Sequence, residues 1–99
     1  MTPLLFTPLA LRGLTLSNRI MVSPMCMYSA VDGLPTSWHR THLGTLSMSG
    51  AGILMLEATG VEARGRITLD CLGLYNDQQE EALARIVEEL KQDSDIAIG

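Results

Sequence analysis

Apolar positions along the chain form short runs early and one helical stripe late. Leu9–Leu11 and Leu14–Leu16 flank Arg12-Gly13; two short apolar runs about a two-residue turn predict a small hairpin. Ile20–Ser23 is a short run with β-branched residues, closed by Pro24, which cannot donate to a sheet ladder; it reads as a buried strand ending at Ser23-Pro24. Residues 25–35 read as a loop with Asp32-Gly33 as its turn. Thr36 and Ser37 are N-cap candidates for a helix to about Ser49, with Leu43 and Leu46 on one face, Gly44 weakening it and Gly50 as its C-cap. Ile53–Leu56 is apolar throughout and ends at Glu57, the pattern of a parallel strand covered on both sides.

Residues 58–75 form a long stretch rich in Gly, Arg and Thr, and loops of that length in small domains usually carry function. The clearest helix runs from Asp77 to Gln92. Asn76 or Asp77 caps it, Gln79 or Glu80 stands three residues on as a capping box requires, and Leu83, Ile86, Val87 and Leu90 form its core-facing stripe. Asp95–Gly99 opens a third apolar strand. The order hairpin, β, α, β, α, β implies parallel strands with right-handed crossovers. A doubly wound sheet and a (β/α)₈ barrel both satisfy it. A barrel takes ~250 residues, so residues 1–99 would be the N-terminal segment of one such domain: hairpin, two βα units and a third strand.

With 46% hydrophobic and 18% charged residues, disorder is not expected. The net charge is −4 and the basic residues are scattered, which argues against a nucleic-acid surface. No apolar run is long enough for a membrane span, and Pro3–Leu11 lacks the basic lead of a signal peptide and holds two prolines. Cys26 and Cys71 make neither a disulfide framework nor a metal-type pair, so a cytoplasmic location is the default expectation.

Phosphate-loop motifs are absent, and Gly50-Ala51-Gly52 precedes a strand, whereas a dinucleotide fingerprint follows one. His39 and His42 could share a helix face, but no Cys or carboxylate at ligand spacing completes a metal set. The most informative segment is Ser23-Pro24-Met25-Cys26-Met27-Tyr28. It follows the first strand, where barrels place their chemistry, and offers a thiol, a phenol and a proline-stiffened backbone. From the residues alone, a structural Cys with a boundary Tyr accounts for it equally well.

The chain resembles the old yellow enzyme family of FMN-dependent ene-reductases. The resemblance rests on Leu5-Phe6-Thr7-Pro8, Leu14 through Ile20, Ser23 through Tyr28, Trp38-His39 with His42-Leu43, Glu57-Ala58-Thr59, Gly65-Arg66-Ile67-Thr68 and Leu72-Gly73-Leu74-Tyr75, in the family's order and spacing. Cys26 points to the bacterial branch with a Cys near the flavin. The resemblance implies a barrel, FMN, and NADPH or NADH as hydride donor to the C=C bond of an α,β-unsaturated carbonyl. It places Ser23 near the ribityl chain, Pro24, Met25 and Cys26 against the ring, the Cys26 thiol at the N5/O4 edge, and Ala58 close by. It gives Tyr28 the substrate carbonyl to orient and makes the hairpin a closure of the barrel's N-terminal mouth. It assigns no chemistry to Trp38, Cys71 or the histidines.

The family's phosphate grip, carbonyl-polarising His pair and proton-donating Tyr come later than Gly99. The resemblance therefore implies dependence on the rest of the barrel as partner, and a homo-oligomer when complete; alone, the chain is expected to be inactive. Two other readings stand beside it: a segment that only docks on a partner, and part of a larger iron–sulfur enzyme of the dienoyl-CoA reductase kind. The Cys26/Tyr28 pair favours the simpler flavoenzyme.

Overall fold

The computed structural model describes residues 1–99. A short 3₁₀ turn, Leu4–Phe6, leads into β1 (Leu9–Leu11) and β2 (Leu14–Leu16), the hairpin expected from the sequence, paired antiparallel with Leu9 opposite Leu16. Arg12 turns the corner at φ +53°. β3 (Met21–Val22), β4 (Ile53–Leu54) and β5 (Ala97–Ile98) form a parallel sheet in the order β3-β4-β5. Helices α1 (Ser37–Ser47) and α2 (Asp77–Asp93) provide the two crossovers.

The strands are shorter than the apolar runs that signalled them. Ser23, Leu56 and Asp95 lie outside these strands, although the Leu56 N–H still bonds the Gly99 carbonyl at 2.9 Å. α1 stops at Ser47 with Met48 as its C-cap, and Gly50 (φ +86°) makes the turn two residues later. Thr36 is the N-cap, and the residue completing its capping box is His39. Asn76 caps α2 by accepting from the Gln79 N–H at 2.8 Å. Gln79 does not return the bond to the cap; its Oε1 accepts from the Tyr75 N–H at 2.8 Å.

One sheet face is covered. Val22, Leu54 and Ile98 share a row across the three strands and pack with Leu43 of α1 and Ile86 and Leu90 of α2. Leu83 and Val87, the rest of the α2 stripe, are half-buried. Ser94 Oγ donates to the Ser47 carbonyl at 2.6 Å and ties the two helix ends together.

The opposite row, Met21, Ile53 and Ala97, points away from the helices, as the two-residue pleat demands. Met21 is 54% exposed. The expectation of cover on both faces is thus met on one only. With a radius of gyration of 14.6 Å, the chain is more extended than the ~13 Å of a closed 100-residue domain. It presents half of a core.

Candidate active site at the strand ends

The C-terminal ends of β3 and β4 emerge side by side because the strands are hydrogen-bonded neighbours, and the Met55 N–H continues the ladder onto the Val22 carbonyl at 3.1 Å. Ser23, Pro24, Met25 and Tyr28 are exposed after β3, Cys26 is half-buried, and Ala58 is exposed after β4. The expected site residues therefore lie on one open edge of the sheet, outside the packed interior. Cys71 is different: it is 2% exposed, and its sulfur receives the Thr68 N–H at 3.3 Å, inside the second loop.

Tyr28 occupies the left-handed region at φ +52°. For a bulky residue this is an outlier costing about 1–2 kcal/mol, so its neighbours must hold it. Ser29 Oγ donates to the Met27 carbonyl at 3.0 Å, the Thr36 hydroxyl donates to the Ser29 carbonyl at 3.0 Å, and the Ala30 N–H reaches the Asp70 carbonyl at 2.9 Å.

The two long loops brace each other. Asp32 (φ +51°) and Gly33 (φ +73°) form a type I′-like turn between Val31 and Leu34, which bond each other in both directions. The Gly73 N–H donates to the Gly33 carbonyl at 2.9 Å, and Gln79 Nε2 to the Asp32 carbonyl at 3.0 Å. Gln79 is fully buried. It holds the first loop against the start of α2 while also satisfying Tyr75.

Beneath this edge lie two residues for which sequence reasoning found no chemical role. His39 and Glu57 have side chains 1% and 5% exposed, with Nε2 and Oε2 3.6 Å apart. His39 Nδ1 accepts the Thr36 N–H at 3.0 Å, so in the neutral ring the proton resides on Nε2, facing Glu57. Burial, then the charge of His42, holds the His39 pKa below the ordinary 6.5. Burial raises Glu57 above the ordinary 4.5, opposed by the Met27 amide and then His42. The usable sequence signal was a carboxylate directly after an apolar strand. His39 and His42 share no metal-type cluster with other ligating side chains; His42 stacks on Trp38 at 5.7 Å. No helix is long and apolar enough to cross a membrane.

A half-open cleft of about 430 Å³ lies at the other end of the strands, among Leu14, Met48, Gly52 and Ile96. It is remote from the loops just described and adjoins the hairpin.

A parallel βαβαβ sheet with one bare face and braced loops at its C-terminal edge is the opening portion of a (β/α)₈ barrel. The chain belongs to the NADH:flavin oxidoreductase / NADH oxidase family, whose model matches residues 4–98; this is the old yellow enzyme family of the sequence resemblance. It is 47% identical over 97 residues to an NADPH dehydrogenase of Bacillus cytotoxicus, covering 95% of this chain and 28% of that protein. An NADH:flavin oxidoreductase of Gibberella zeae is 51% identical over 81 residues, 82% of this chain and 20% of that one.

Morphinone reductase superposes with a TM-score of 0.82 at 30% identity, over 97% of this chain and 25% of its own. The old yellow enzyme homologue of Zymomonas mobilis does so at 0.84 and 28%, over 97% and 26%. The chain thus spans about a quarter of the length of the relatives it matches, and its fold is the N-terminal portion of a TIM barrel. FMN and a reduced nicotinamide are the cofactors of this family.

Proposed function

We propose that this segment supplies the first flavin-facing turn of an enzyme that uses NADPH, or NADH, to reduce the C=C bond of α,β-unsaturated carbonyl compounds. The observation that carries the reading is the 23–28 turn: open to solvent at the strand ends, yet held firmly enough to keep Tyr28 at positive φ. The residues present fit a flat prosthetic group with polar edges. Pro24 and Met25 offer exposed apolar surface, while Ser23 and Cys26 add a hydroxyl and a thiol beside it.

FMN, when bound, carries hydride from the nicotinamide to the β-carbon of the alkene. The chain's own residues bind and orient. The Ser23 hydroxyl and the 24–26 backbone seat the cofactor, with Ala58 leaving room beside it. The Cys26 thiol hydrogen-bonds its reactive edge and so tunes its potential. The Tyr28 phenol positions the substrate carbonyl. Proton delivery, phosphate binding and cover for the Met21–Ile53–Ala97 row fall to the remaining barrel, without which we expect neither tight FMN binding nor turnover.

The test is anaerobic reduction of a simple enone by NADPH with the full-length protein, followed by product analysis. Saturated carbonyl formed in step with NADPH oxidation is expected, and Tyr28→Phe should raise KM about tenfold, the loss of one hydrogen bond to substrate. NADPH oxidised by added oxygen with no enone ever consumed would refute the assignment of substrate.

A further inference from the structure

We propose that His39 and Glu57 act as one positioning pair, in which His39 Nε2–H donates to the Glu57 carboxylate and fixes the backbone on both sides of Tyr28. This rests on the flavin reading for its consequence, though not for its geometry. The ring proton is placed by the Thr36 N–H on Nδ1, and Nε2 then faces Glu57 Oε2 at 3.6 Å. Neither Nε2 nor Glu57 Oε1 has any other partner, although both are buried. A buried donor and acceptor are rarely left unpaired, and a shift of well under 1 Å brings Nε2 into hydrogen-bonding range of the carboxylate through Oε2.

The pair reaches the turn by two routes. On the His39 side, the ring and the Thr36 backbone close the capping box of α1, and the Thr36 hydroxyl holds the Ser29 carbonyl at 3.0 Å. On the Glu57 side, the carboxylate lines a cavity of about 10 Å³ with Ser23, Met25 and His42, and the Met27 amide favours its charged form. Thr36 therefore ties the pair to Ser29 on one shoulder of Tyr28, and the cavity wall of Ser23 and Met25 brings Glu57 against the other. Glu57 also immediately precedes Ala58. His39 and Glu57 reach neither substrate nor cofactor in this arrangement; they act through the turn.

The variants that isolate this role are Glu57→Gln, which keeps the volume and removes the charge, and His39→Gln. Gln is a natural partner at this capping-box position, so His39→Gln preserves the cap on Thr36 while removing the ring N–H aimed at Glu57. In the full-length protein without FMN, hydrogen exchange of residues 25–30 should quicken about tenfold in either variant, the loss of one charge-assisted bond. The double variant should be no worse than the worse single one, because both remove the same interaction. Exchange in α2 should not change. With FMN added, the dissociation constant should rise by a similar factor in all three.

Unchanged exchange in 25–30, effects that multiply in the double variant, or quickening spread equally through α2 would each overturn the pair. If the unmodified protein fails to take up FMN, the flavin reading falls, and the exchange pattern alone decides the pair. If it takes up FMN and the variants bind it equally well, the pair does not position the flavin-facing turn and the proposal is overturned while the flavin reading stands.

Discussion

Replacing Leu54 by alanine should destabilise the full-length protein by about 2–5 kcal/mol, the usual range for a fully buried leucine whose cavity cannot collapse. Leu54 is 0% exposed and lies between both helices and both neighbouring strands, against Leu43, Ile86 and Leu90. The informative comparison is Met21→Ala. Met21 is 54% exposed here, and an exposed substitution ordinarily changes stability by less than about 0.5 kcal/mol. Yet Met21 shares the bare row with Ile53 and Ala97, which a closed barrel turns into its interior. In the full-length protein, Met21→Ala should therefore also cost about 2–5 kcal/mol. Urea melts of the two variants decide it: a neutral Met21→Ala would mean that this face is never covered.

Gln79→Ala should have a comparable effect for a different reason. The side chain is fully buried and makes two bonds, accepting from the Tyr75 N–H and donating to the Asp32 carbonyl. Removing it orphans both groups, at about 1–3 kcal/mol each. The orphaned carbonyl belongs to the Asp32-Gly33 turn, so the loop carrying the site should loosen as well. Gln79→Glu separates the two contributions, because a carboxylate still accepts from Tyr75 but offers nothing to Asp32. We expect chemical denaturation to place Gln79→Glu between wild type and Gln79→Ala. A Gln79→Ala protein as stable as wild type would remove Gln79 as the brace of this loop.

The elements themselves were legible because their signals are local. A turn dipeptide marked the hairpin, the 3.6-residue stripe from Leu83 to Leu90 marked α2, and alternating strands and helices left two candidate architectures, of which the family resemblance favoured the barrel. Strand lengths were overstated because apolar character and single inter-strand bonds continue past the regular pairing: Leu56 is half-buried against the core and its N–H reaches the Gly99 carbonyl at 2.9 Å, although the strand ends at Leu54. The residues of the 23–28 turn could be read as a group, since they are consecutive. The conformation of Tyr28 could not, because its positive φ is enforced by Thr36 and Asp70, which are distant in sequence. The same holds for His39 and Glu57. Each has an ordinary local explanation, a helix's first turn and a strand's end, and only the crossover of α1 onto β4 buries them together. Gln79 was expected to complete a cap, and instead bridges two loops, for which no spacing rule exists.

The central claim is that the turn after β3 lies against bound flavin, and thiol alkylation tests it directly. Cys26 is half-buried at the open edge and Cys71 is sealed within its loop, so in the native full-length protein iodoacetamide should label Cys26 and spare Cys71. Saturating FMN should slow that labelling at least tenfold, because a bound ring covers the thiol, while Cys71 stays unreactive throughout. Labelling of Cys26 at an undiminished rate in a protein that has demonstrably taken up FMN would contradict the account.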